Sequence, residues 1–127
     1  MTVAQCDLGE RLLDYGARII KLVESLPNTL VGRRVADQLL RSGTSAGANY
    51  EEARGAESRD DFAHKLQIAL KELRESGYGL RLLVRSCKIS AERMKDLIDE
   101  SNQLRAMLSK SVATAKGKAK SALSLVP

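Results

Sequence analysis

Aromatic side chains are nearly missing from this chain, with one Phe, three Tyr and no Trp in 127 residues. Any core must therefore be aliphatic, and platforms for stacking bases are scarce. Histidine occurs once, as His64, and cysteine twice, as Cys6 and Cys87. Two cysteines without a partner motif make no disulfide framework or thiolate metal site. No stretch approaches about 18 uninterrupted apolar residues, so no membrane span is expected. The first residues lack the basic and apolar regions of a signal peptide, which points to the cytoplasm. Val, Ile and Thr form no alternating runs, which argues against a sheet.

What is present is a helical rhythm. Leu8, Leu12, Tyr15, Ile19, Leu22 and Leu26 alternate between spacings of four and three, and so do Phe62, Leu66, Ala69, Leu73, Ser76 and Leu80. Leu83 and Cys87 continue the second set. Such a stripe is one helix face laid against other helices. The expected fold is all-α, a single antiparallel up-down four-helix bundle over residues 1–113, with a basic, mobile tail over 114–127.

Local signals divide the bundle. Helix one is expected from about Asp7, where Asp7 and Glu10 form a capping box, to Leu26, and Pro27 ends it. Helix two follows Asn28 and Thr29, with Val31, Val35 and Leu39 on its seam, and runs to Arg54 before a turn at Gly55. Ser58 caps helix three, Asp60 and Asp61 suit its first turn, and it reaches about Cys87. Ser90 caps helix four, carried by Met94, Leu97, Ile98, Leu104, Met107 and Leu108. Joints of about three residues force antiparallel neighbours. Cys6 and Cys87 then lie at opposite ends, about 30 Å apart by helical rise.

The net charge of +5 is unevenly spread. Lys110, Lys116, Lys118 and Lys120 lie in the last 18 residues, which contain no acid and leave 17 basic against 16 acidic residues elsewhere. The end holding the first and third joints collects Arg33, Arg34, Arg81, Arg85, Lys88, Arg93 and Lys95 against Glu24, Asp37, Glu92 and Asp96. The other end is acidic, through Asp7, Glu10, Glu51, Glu52, Glu57, Asp60 and Asp61. Helix dipoles explain part of both sets.

Helix two is unusual in its second half, where Gly43 and Gly47 interrupt a helix at about 1 kcal/mol each. Ser42, Ser45, Asn49 and Glu52 line a face that should point inward. One reading is close helix approach over small residues, with the polar groups bonded to neighbouring helices. The other is a small-ligand or partner site. A specific form of the first joins Arg41, Ser45 and Asn49 to Glu72 of helix three in a buried or half-buried network.

The run Gln38-Leu39-Leu40-Arg41-Ser42-Gly43-Thr44-Ser45-Ala46-Gly47-Ala48-Asn49-Tyr50-Glu51-Glu52-Ala53 carries a resemblance. With Leu26-Pro27 before it, and Asp61-Phe62 and Lys65-Leu66-Gln67-Ile68-Ala69-Leu70-Lys71-Glu72 after it, the chain resembles the bacterial four-helix-bundle proteins encoded within intervening sequences of 23S ribosomal RNA genes. The likeness covers about residues 8 to 110. It implies a left-handed bundle that forms homopentamers, with no established activity and no catalytic residues to carry over. The genomic setting hints at RNA, and related pentameric bundles assist the reverse transcriptases of diversity-generating retroelements, where they bind nucleic acid. The nearly neutral body of this chain departs from those relatives.

Catalytic chemistry finds little support. His64 lies outward of the seam, Glu51-Glu52 and Asp60-Asp61 diverge as sequence neighbours, and no Glu-x-x-His motif serves a two-metal site. The expectation is a non-enzyme with no metal and no cofactor. Its apolar sets beside the seams, Leu13, Ala17 and Ile20 on helix one and Ile68, Tyr78 and Leu82 on helix three, suggest self-assembly. A wide buried face is the alternative for helix one. The favoured function is an oligomeric interaction scaffold. The alternative is an RNA- or DNA-binding accessory protein using Arg33, Arg34, Arg81, Arg85 and Lys88 on a basic face, or the tail lysines Lys116, Lys118 and Lys120. Scarce aromatics would make such binding backbone-directed.

Overall fold

The computed structural model describes residues 3–86 and 88–124, with side chains from 8 to 117 apart from 87. Four helices account for nearly all of it: α1 (Val3–Glu24), α2 (Leu30–Arg54), α3 (Arg59–Arg85) and α4 (Ala91–Ser124). The described residues contain no strand. No helix among them is long and apolar enough to cross a membrane.

Helix starts follow the capping chemistry at three of four positions. Thr29 Oγ1 accepts from the Gly32 amide at 3.0 Å, Ser58 Oγ from Asp61 at 3.0 Å, and Ser90 Oγ from Arg93 at 3.3 Å. Each satisfies an amide that has no partner within its helix. The fourth start differs from expectation. Helix α1 begins at Val3, so Asp7 lies inside the helix and is not its first residue. Nothing in Val3-Ala4-Gln5-Cys6 breaks a helix, and Asp7 is therefore not forced to begin one. Gly55 ends α2 with φ −99°, an ordinary conformation rather than a left-handed turn.

Both seams point inward. Leu8, Leu12, Tyr15, Ile19 and Leu22 are buried, as are Leu66, Ala69, Leu73, Ser76, Leu80 and Leu83, while Leu26 and Phe62 pack at the margin. Cys87 lies outside the described residues. Helix α4 adds Met94, Leu97, Leu104, Leu108 and Val112. Val31 is a correction: at 54% exposure it faces solvent, because the buried side of α2 starts at Gly32 and Leu39.

Helices α1 and α3 each pack on α2 and on α4, so they occupy opposite corners. Paired positions run in opposite order along neighbours. Gly9 lies beside Glu51, Gly47 beside Leu12, and Gly43 beside Gly16 and Ile19. A Cβ on Gly43 would come within 2.8 Å of the Ile19 side chain, so glycine is what lets α1 and α2 approach here. The joints span residues 25–29, 55–58 and 86–90.

Helix α4 passes through the boundary at 113/114 without interruption and continues to Ser124. Ala115 packs against the core, and Thr114 lies beside the joint between α2 and α3. Alanine and lysine are good helix formers, and the cost of Gly117 falls on one position only.

Candidate functional site

Ser42 and Asn49 of the α2 polar stripe bond to their own helix, as does Thr44 beside them, while Glu52 meets Lys65 of α3 at 3.1 Å. Ser42 Oγ donates to the Gln38 carbonyl at 2.7 Å, Thr44 Oγ1 to Leu40 at 2.6 Å, and Asn49 Nδ2 to Ser45 at 2.9 Å. Short polar side chains reach the carbonyl one turn back, so burial against a neighbour leaves nothing unsatisfied. Among the described residues no buried side-chain nitrogen or oxygen lacks a partner.

Of the four residues expected in one network, the structure brings Arg41 and Glu72 together. Arg41 Nη1 meets Glu72 Oε2 at 2.6 Å, and its Nη2 meets Glu75 Oε2 at 2.5 Å. Ser45 and Asn49 take no part in that bridge, and the Arg41 side chain is 51% exposed rather than buried. Its hydrogen bonds to Glu75 and Glu72 hold the guanidinium still more firmly in its charged form.

The buried polar chemistry lies elsewhere, where sequence reasoning did not look for it. Tyr15, Ser76 and Ser101, from α1, α3 and α4, meet in the core. Ser76 Oγ donates to the Leu73 carbonyl at 2.8 Å, so the Tyr15 hydroxyl, also 2.8 Å away, donates to Ser76. Burial pushes the Tyr15 phenol above its usual range, against the opposing influence of its hydrogen bonding with Ser101 and Ser76. Tyr15 and Ser76 were the two hydroxyls on the apolar seams, and that was the available signal. A second unforeseen contact joins α1 to α4. Arg11 Nε and Nη2 grip Glu100 at 3.0 and 2.7 Å, and Nη2 also reaches Gln103. The hydrogen bond from Arg11 draws the Glu100 carboxyl below its ordinary range, against partial burial.

Outside the core, α1 and α3 each expose a stripe. On α1 it reads Glu10, Leu13, Ala17, Ile20 and Glu24, all exposed, with Leu13 at 65% and Ile20 at 42%. On α3 it reads Lys71, Glu75, Tyr78, Leu82 and Arg85, with Tyr78 at 64% and Leu82 at 46%. Ile68 is only half-buried and off this line. Beside the α3 stripe, Val35, Leu39, Tyr78 and Leu82 wall a groove of about 230 Å³ between α2 and α3. A Cβ on Gly79 would stand 2.9 Å from Leu39 Cδ2, so the groove is shallow because glycine admits Leu39 there. Tyr78 also borders a second groove, between α3 and α4.

The remaining candidates are surface groups. Arg33, Arg34, Arg81, Arg85, Lys88 and Lys116 are exposed, and Arg33 donates to Asn28 Oδ1 at 3.1 Å. Lys118 and Lys120 lie outside the residues whose side chains are described. His64 is exposed. No three His, Cys, Asp or Glu side chains among the described residues are grouped to hold a metal ion.

Comparison with known proteins agrees with this architecture. The family model described as 23S rRNA-intervening sequence protein matches residues 7–110. A crystal structure from Bacteroides thetaiotaomicron VPI-5482, a protein with unknown function from the S23 ribosomal protein family, is 38% identical with a TM-score of 0.78. The match covers 83% of this chain and 97% of that one. Among curated proteins none matches.

Proposed function

The chain belongs to the family of 23S rRNA-intervening sequence proteins, and from that premise we propose that it is a non-catalytic scaffold built by head-to-tail self-assembly. The bundle is read as up-down and antiparallel, which the opposed order of paired positions supports, and as left-handed, which the family resemblance implies. It acts in the cytoplasm, without metal or cofactor.

One observation carries the assembly. The stripes Glu10–Glu24 and Lys71–Arg85 span the same number of residues, a helical rise of about 21 Å in each case. Each has exposed apolar residues in its middle. The α1 stripe ends in an acid at both ends, and the α3 stripe in a base at both ends. The two are therefore complementary whether the pairing helices run parallel or antiparallel. They also lie on opposite corners of the bundle. A patch that fits a different patch on the far side makes a heterologous contact, which closes into a ring when the rotation allows. Burying Leu13 and Ile20 against Tyr78, Leu82 and the α2–α3 groove removes apolar surface that a monomer would leave in water. Five copies is the number the family resemblance implies.

Light scattering at micromolar concentration tests this reading. The expected mass is a closed multiple of the 13.9 kDa chain, near fivefold. A particle of 13.9 kDa would overturn it.

A further inference from the structure

The groove between α3 and α4 differs in kind from the one between α2 and α3. It is larger, about 480 Å³, within the roughly 300–1,000 Å³ typical of small-ligand sites. Arg74 and Arg81 line it from α3 and Arg105 from α4, with Tyr78 and Asn102 between them and no acidic residue. Arg74, Tyr78 and Arg81 are four and three residues apart, so they share one face over about 10 Å of helix. None of the three arginines has an ion pair or hydrogen bond among the described residues. The acid nearest in sequence, Glu75, faces the opposite groove and is held there by Arg41.

Three guanidinium groups around one concavity repel one another until an anion enters. Their forked donors match phosphate oxygens in pairs. Tyr78 presents an aromatic ring at the rim, 64% exposed and set between two of the arginines. Asn102 carries both a donor and an acceptor, the complement needed for a base edge. An acidic peptide would use the charges but gain nothing from the ring. A nucleotide uses both.

We propose that the α3–α4 groove binds nucleoside phosphates, with the phosphate on Arg74, Arg81 and Arg105 and the base stacked on Tyr78. The ligand is either a free nucleotide or a residue of a single strand, since both present the same chemistry. Tyr78 also stands on the α3 assembly stripe, so ligand and second copy meet at that residue, while the three arginines lie outside the α2–α3 groove.

Fluorescence polarisation and calorimetry with AMP, a short oligouridylate, inorganic phosphate and polyglutamate, over a salt series, provide the test. Circular dichroism and light scattering on every variant check fold and mass. The triple variant Arg74→Gln, Arg81→Gln, Arg105→Gln is expected to lose AMP and to lower the log–log salt slope for oligouridylate by about 2. Tyr78→Leu, which keeps an apolar side chain on the assembly stripe, is expected to weaken AMP and oligouridylate roughly 5- to 100-fold and leave inorganic phosphate unchanged. Binding of AMP as tightly as oligouridylate identifies a free-nucleotide site; tighter, salt-dependent oligouridylate identifies a strand site. The proposal is overturned if neither binds at low salt, or if polyglutamate binds equally well with no dependence on Tyr78. It also fails if the control Arg33→Gln, Arg34→Gln, Lys116→Gln costs as much as the triple variant.

Discussion

Two grooves flank α3, and a single residue, Tyr78, borders both. On the α2 side the acid that lines the groove, Glu75, is paired with Arg41, which also holds Glu72. On the α4 side three arginines stand without partners among the described residues. The same helix therefore offers a largely apolar face, its acid paired, to one groove and a cationic, unpaired one to the other. A face whose charges are already satisfied suits another protein surface; an unbalanced one suits a ligand that brings the missing charge.

Substitutions that separate the two faces sharpen this comparison, and urea unfolding at fixed protein concentration measures each. The largest effect is expected at Leu39, which is 1% exposed and floors the α2–α3 groove. Leu39→Ala should cost about 2–5 kcal/mol, the range for a buried leucine that leaves a cavity. A loss well below that range would mean the groove collapses and is no fixed feature. Next is the floor under the α3–α4 groove, where Ser101 and Gly77 separate the arginines from Tyr15. Tyr15→Phe removes the hydroxyl shared by Ser76 and Ser101 and should cost about 1–3 kcal/mol. In the native protein the raised phenol pKa contributes stability below about pH 10, lost as pH rises through the folded value; Tyr15→Phe should abolish that alkaline limb.

Glu100 comes third. Its contact with Arg11 is partly buried, at 25% and 20% exposure, so Glu100→Gln should cost roughly 1–2 kcal/mol, between exposed and buried pairs. Its lowered pKa makes that stability present above the ordinary 4.5 and lost as pH falls through the folded value. An acid limb that survives Glu100→Gln would assign it to another carboxylate. The smallest effect belongs to Arg41. Because it is exposed, Arg41→Met should leave the melting temperature unchanged, and a large drop would restore the buried network expected from sequence.

The fold was legible because a three-four rhythm of apolar residues specifies one helix face, and the seams from Leu8 and from Leu66 are buried as spaced. Two of the caps, Ser58 and Ser90, were legible for the same local reason: a serine placed before a helix accepts a nearby amide. What failed was longer in range. Whether Asn49 bonds its own helix or Glu72 depends on how α2 sits against α3, which no local pattern reports. The Arg11–Glu100 contact joins residues 89 apart and has no sequence signature. Val31 sat on a plausible seam, but the packing of α2 rotates it outward. The assembly residues Leu13, Ala17, Ile20, Tyr78 and Leu82 were visible as apolar positions off the seams. Their matching end charges emerged only once exposure fixed which acids and bases share each face. Scarcity of aromatics argued against base stacking, and only the fold shows one exposed tyrosine set beside Arg74 and Arg81.

Head-to-tail assembly is the central claim, and a mixing experiment tests it most directly. Leu13→Glu breaks the α1 stripe and leaves the α3 stripe intact; Leu82→Glu does the reverse. Light scattering should find each variant alone at the 13.9 kDa of one chain. An equimolar mixture retains one sound α1–α3 contact and should form a pair of about twice that mass. If one variant alone still assembles, or if both are monomeric and the mixture stays so, the contact is not α1 of one copy on α3 of the next.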